Sequence, residues 1–179
     1  MEVVEGSGTV LELWVLRHAK AAADSPDGTD HSRPLTKRGT AQAQAAARFL
    51  SDARSTGVRT ARLILCSSAV RARQTAELVL PGLGTEVTLE VERDLYDADA
   101  DDVLERLTRV WEDVDSVMVV GHNPCLADLA QLMVTPEDNE ARHKLENFPT
   151  CALAQFSLPA GSWAEVAEGS GRLERLFTQ

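Results

Sequence analysis

Three apolar runs in this chain each end in residues that can hold or attack a phosphoryl group. Val10 to Leu16 leads into Arg17-His18, Arg62 to Cys66 into Ser67-Ser68 and then Arg71, and Ser116 to Val120 into Gly121-His122-Asn123-Pro124. A guanidinium fork matches phosphate oxygens two at a time, and a neutral imidazole can attack phosphorus in line. Two guanidiniums and two imidazoles in one place repel one another if the rings are protonated, so such a site is built around an anion. Phosphate is the natural one. Binding alone asks for no pair of histidines. Attack by one of them splits a hard displacement into two easier ones through a phosphohistidine, while the cations hold the equatorial oxygens and water then attacks the intermediate.

Whether these residues meet depends on the elements that carry them. The three runs read as buried strands, and the Val/Thr/Leu alternation from Glu86 to Val91 reads as a further one. Thr36 is the N-cap of a predicted helix from Lys37 to about Ser55 that stops at Gly57. Ser67 or Ser68 caps a second, Ala69 to Leu80, ended by Pro81-Gly82. Val103, Leu104, Leu107, Val110 and Trp111 keep helical spacing within Asp101 to Asp113. Asn123 as N-cap, with Pro124 at the first helical position, opens a helix to about Val134. Beyond it, Glu137 to Asn147 reads as a polar helix, Cys151 to Leu158 as a strand and Arg172 to Phe177 as an edge strand.

Strands alternating with helices of this length imply an α/β class, a three-layer α/β/α sandwich with a mostly parallel central sheet. In such sheets ligands collect beyond the carboxyl ends of the strands, where Arg17, His18, Arg71 and His122 all fall. Arg71 sits in the first turn of its helix, an unfavourable end for a cation unless an anion lies between it and the macrodipole.

At 179 residues one core suffices, so a single catalytic domain over residues 10–179 is expected, after a flexible lead of residues 1–9. The composition, 44% hydrophobic and 26% charged, suits a globular chain rather than a disordered one. A net charge of −10 disfavours nucleic acid as a partner, because backbone binding needs a basic face. Cys66, Cys125 and Cys151 lack the spacing of a zinc site and read as thiols in a reducing compartment. The first sixteen residues carry no Lys or Arg, and no apolar run is long enough to span a bilayer; the expectation is a cytoplasmic protein with no membrane partner.

The segments themselves carry a resemblance. Leu16-Arg17-His18-Ala19-Lys20 resembles the Arg-His signature of the histidine phosphatase superfamily, the phosphoglycerate mutase-like fold. Arg33-Pro34-Leu35-Thr36-Lys37-Arg38-Gly39 is similar to its leucine-threonine helix start, Cys66 to Ala76 to its second arginine segment, and Gly121 to Pro124 to its second histidine segment. The four agree in order and placement over roughly residues 10 to 135, and the short chain with its Arg-His-Ala-Lys form is most similar to SixA-type phosphohistidine phosphatases. The resemblance implies His18 as nucleophile, Arg17 and Arg71 as phosphate clamps, and His122 as a second imidazole on the transferring group. Larger members carry a carboxylic acid that protonates the leaving oxygen. Asp94 to Asp99 offers no clear equivalent, which favours phosphohistidine as substrate because its P–N bond releases an imidazole; Asp97 is the candidate acid.

Blander readings compete at several positions. His31 and His143 lie in polar segments and read as surface histidines without a role, and Trp14, Trp111 and Trp163 as packing. Lys20 and Arg33 are candidate substrate-binding residues on the rim, against the alternative of a solvated charged face. No His-x-His and no cysteine cluster is present, so no metal and no cofactor is expected. A thiolate phosphatase would need one more residue than separates Cys66 from Arg71, and one fewer than separates it from Arg73. The expected partner is a phosphorylated protein or a small phosphorylated substrate. The competing functions are a broad small-molecule phosphomonoesterase of the same fold and a phosphate-recognition module without turnover.

Overall fold

The structure is a computed structural model that describes residues 10–179; the expected lead, residues 1–9, lies outside the described residues. In chain order the main elements are β1 (Leu11–Arg17), α1 (Lys37–Ser55), β2 (Leu63–Ser67), α2 (Val70–Leu83), β3 (Thr88–Glu92), α3 (Ala100–Leu107), β4 (Ser116–Gly121), α4 (Cys125–Met133), α5 (Asn139–Glu146), β5 (Leu153–Leu158) and β6 (Arg172–Phe177). They form one mixed sheet in the order β3-β2-β4-β1-β5-β6. β3, β2, β4 and β1 are mutually parallel, and β5 runs antiparallel to β1 and β6 to β5.

The continuous apolar runs of β2 and β4 follow from burial on both faces, since every residue of each strand is buried. Alternation then divides the side chains between two cores. Leu13, Val15, Leu65, Val117 and Val119 pack with α3, α4 and α5, whereas Trp14, Leu16, Ile64, Cys66, Met118 and Val120 pack with α1 and α2. The result is the expected three-layer α/β/α sandwich with a mostly parallel sheet. Arg17 pairs with Gly121 and Cys66 with Val120, so the carboxyl ends of β1, β4 and β2 finish side by side.

Several local expectations are corrected. α2 does not stop at Pro81-Gly82 but continues to Leu83. A Cβ on Gly82 would overlap the Ala47 carbonyl, so the glycine lets α2 lie directly on α1, and that packing carries the helix through the proline. α3 ends at Leu107, short of the expected Asp113, with the Thr108 amide turned back to the Leu104 carbonyl. Trp111, beyond that end, is 69% exposed and is no core residue, unlike Trp14 and Trp163. α1 begins as expected, the Thr36 hydroxyl accepting from the Gly39 amide at 3.0 Å.

Candidate active site

The carboxyl ends of β1, β4 and β2 deliver His18, His122 and Ser67 to one place. The His18 and His122 rings lie 5.2 Å apart, centroid to centroid, tilted by 56°. The turn after β1 is held on all sides. The His18 amide donates to the Gly121 carbonyl, the Cys151 amide to the His18 carbonyl, and the Ala19 amide to Thr75 Oγ1 on α2. Gly39 in α1 leaves room for the Lys20 carbonyl, which a Cβ there would overlap.

This anchoring fixes the His18 tautomer. Nδ1 lies 2.8 Å from the Ala19 carbonyl oxygen. A carbonyl can only accept, so Nδ1 carries the hydrogen and Nε2 carries the lone pair. Burial, reinforced by the Arg71, Arg17 and Arg33 charges, lowers His18 to about 4. His122 is lowered to about 3, again by burial first and then by His18 and Arg71. Both rings are therefore neutral near pH 7, and the His18 lone pair is available for attack.

The N-termini of α2 and α4 are not capped as the sequence suggested, and the reason lies in the site. The residue before α2 is Ala69, with no side-chain cap. Ser67 Oγ instead lies 2.7 Å from His122 Nε2, and Ser68 Oγ 2.9 Å from His31 Nε2. Asn123 likewise does not cap α4, which begins after Pro124; its Nδ2 donates to the Phe148 carbonyl. Capping residues have been drawn into bonds with His122, His31 and the Phe148 carbonyl.

Arg17 and Arg71 complete the cluster. Arg17 Nη1 donates to the Phe148 carbonyl at 2.9 Å. Arg71, 5% exposed, donates from Nη1 to the Asp30 carbonyl and from Nη2 to Asp30 Oδ2. Among the described residues, the buried side-chain polar atoms without a hydrogen-bond partner are Arg17 Nε, Arg71 Nε, His122 Nδ1 and Asn123 Oδ1. All four belong to this cluster. Buried donors left unpartnered are expensive, and the two guanidinium N–H groups among these atoms suit an oxyanion.

The other expected residues fall differently. Arg33 joins the rim through Asp30, with Nη2 2.6 Å from Oδ1. The Lys20 side chain is exposed, and its backbone rather than its ammonium secures α1. Asp97 is exposed and makes no side-chain hydrogen bond or ion pair among the described residues, whereas its neighbour Tyr96 enters the site. The Tyr96 ring stands edge-on to His122 at 5.6 Å and to His31 at 5.0 Å. Asp30, His31 and Tyr96 are the residues the sequence did not disclose. An open depression of about 420 Å³, lined by Asp24, Gly28, Asp30 and Arg33, adjoins them. No cluster of three or more metal-ligating side chains occurs among the described residues. Burial pushes the Cys66 thiol up to about 12, which removes it as a nucleophile near neutrality.

A family model described as histidine phosphatase superfamily (branch 1) matches residues 13–109. The chain belongs to that superfamily. An uncharacterized protein of Mycobacterium tuberculosis is 35% identical over 162 residues, 88% of this chain and 96% of the relative. Among solved structures, the SixA protein of Nakamurella multipartitia superposes with a TM-score of 0.81 at 26% identity, covering 94% of this chain and 96% of its own. A protein histidine phosphatase SixA complexed with tungstate gives 0.73 at 27% identity, over 94% and 97% of the two chains. The sandwich is the phosphoglycerate mutase-like fold of the superfamily, and a phosphatase-type hydrolase is the activity that the family and these neighbours support. No helix of the described residues is long and apolar enough to cross a membrane.

Proposed function

We propose that this chain is a metal-independent phosphohistidine phosphatase that transfers a phosphoryl group to Nε2 of His18. One observation carries the reading: the Nδ1–H to Ala19 bond leaves the Nε2 lone pair free, in a cluster holding the unpartnered N–H groups of Arg17 and Arg71 and the Nδ1 of His122. With the Ser67 hydroxyl donating to Nε2, His122 presents an N–H at Nδ1.

The chemistry follows from those positions. Nε2 forms a bond to phosphorus as the bond to the leaving nitrogen breaks; the leaving imidazole takes up a proton from solvent, and the guanidiniums carry the charge on the equatorial oxygens. Water then attacks the phosphohistidine, giving inorganic phosphate and neutral His18. An imidazole leaves without the strong acid that an alkoxide requires, which fits the exposed position of Asp97. The oxyanion in the SixA complex is tetrahedral tungstate, which supports a phosphate-shaped pocket here. The open depression at Asp30 and Arg33 suits a phosphorylated protein better than an enclosed cavity would. The three unpaired cysteines support a reducing, cytoplasmic compartment.

The test is a substrate panel on the wild type and His18→Ala, comprising a phosphohistidine protein, nucleotides and sugar phosphates, with and without EDTA. The wild type releases phosphate fastest from phosphohistidine, EDTA changes nothing, and a quenched reaction yields an acid-labile, base-stable phosphoprotein that His18→Ala lacks. Preference for sugar phosphates would move the reading to a small-molecule phosphomonoesterase. Binding without turnover would make it a recognition module.

A further inference from the structure

Asp30 lies in the irregular segment between β1 and α1, and three side chains converge on it. Arg71 approaches through both terminal nitrogens, Nη1 to the Asp30 carbonyl at 2.7 Å and Nη2 to Oδ2 at 2.9 Å. The Tyr96 hydroxyl donates to the same Oδ2 at 2.7 Å. Arg33 holds the other oxygen, Nε at 2.8 Å and Nη2 at 2.6 Å from Oδ1. The segment is itself tied to α2, because the Val70 amide donates to the His31 carbonyl. These donors hold the Asp30 carboxyl well below the usual carboxylate range, the Tyr96 hydroxyl contributing most.

The way Arg71 is held decides what it can still do. A guanidinium offers a terminal edge, Nη1 with Nη2, and a lateral edge that includes Nε–H. Asp30 takes the terminal edge, and Nε is the buried atom left without a partner. A carboxylate bound only as a competitor for phosphate would not also place its backbone carbonyl on Nη1. Charge points the same way. Arg17, Arg33 and Arg71 with one Asp30 carboxylate leave two positive charges while both histidines are neutral, the number that matches a phosphate dianion.

We propose that Asp30 is the positioning residue of the phosphate clamp: it locks the terminal edge of Arg71 so that the lateral Nε–H edge faces the phosphoryl group, and it ties the Tyr96 ring beside His122 to that same clamp. The proposal rests on the phosphatase reading. Asp30 acts on the phosphoryl group through Arg71.

Orthophosphate binding measured by titration calorimetry tests it, alongside kcat and KM on a phosphohistidine protein and the melting temperature. Asp30→Ala is expected to bind orthophosphate about tenfold more weakly and to raise KM. Asp30→Asn keeps one acceptor oxygen and recovers binding to within about threefold of the wild type, and Tyr96→Phe, which spares every charge, weakens it by about threefold. Unchanged binding in Asp30→Ala overturns the proposal. So does tighter binding in either Asp30 variant, which would make the carboxylate a competitor for Arg71. Should Asp30→Ala melt early, the Asp30→Asn comparison decides alone. A wild type that binds no orthophosphate defeats the phosphatase reading and this inference together, whereas a binding, active wild type matched by Asp30→Ala defeats only the inference.

Discussion

Ser67 Oγ sits 2.7 Å from Nε2 of His122, across the carboxyl ends of adjacent strands β2 and β4. When the hydroxyl donates, Nε2 of His122 accepts and the other ring nitrogen is left to carry the hydrogen.

Ser67→Ala removes that control and leaves a buried ring nitrogen unpaired, a penalty of about 1–3 kcal/mol. The expected result is a kcat lower by about tenfold to a hundredfold, with His18 still phosphorylated in a quenched reaction. A variant with wild-type kcat would show that the His122 tautomer does not matter.

The depressed histidines predict a pH dependence with a definite sign. Both rings are favoured neutral in the fold, at about 4 for His18 and about 3 for His122, against an ordinary value of 6.5. The unfolded chain takes up these protons first, so stability is complete above about 6.5 and is lost as pH falls toward 4. Urea midpoints should drop across that window. The drop should shrink in His18→Ala and His122→Ala, and ring C2–H resonances assigned with those variants should titrate below pH 5. Titration near 6.5 would contradict the burial described above.

Gly39→Ala probes the contact between α1 and the turn after β1. The added methyl meets the Lys20 carbonyl, two residues from His18. Overpacking of this kind costs about 1–3 kcal/mol, read as a lower melting temperature, and displacement of Lys20 raises KM as well. An unperturbed variant would mean that α1 stands farther from the turn.

Cys66→Ala tests the thiol route. With its thiol pushed up to about 12, Cys66 contributes no thiolate near neutrality. The variant is expected to keep kcat within about twofold, and iodoacetamide to leave the wild type active. A collapse of turnover would return the cysteine to consideration.

What the sequence disclosed, and what it did not, divides along a physical line. His18, Arg71 and His122 stand just past short apolar runs, and strand periodicity plus the habit of parallel sheets places such residues together. Asp30 and His31 lie in a segment with no period at all. Their positions come from tertiary bonds, Arg71 to Asp30 and Val70 to His31, that no local pattern encodes. His31 therefore reads as a surface residue although Ser68 and Tyr96 hold it against the site. The error over Ser67 and Ser68 has a related origin: both have the chemistry of caps, and only the fold shows that histidines claim them. Similarly, Pro81-Gly82 carries a stop signal that the close approach of α1 overrides.

The turn carrying Arg17 and His18 is gripped from the far end of the chain. The Arg17 amide donates to the Ala152 carbonyl, the Arg17 side chain to Phe148, and the Cys151 amide to the His18 carbonyl. On a translating ribosome, a chain whose first hundred residues have emerged already carries His18 yet none of these braces. The turn is thus braced late in synthesis, once the segment through Ala152 has cleared the exit tunnel and β5 can dock beside β1.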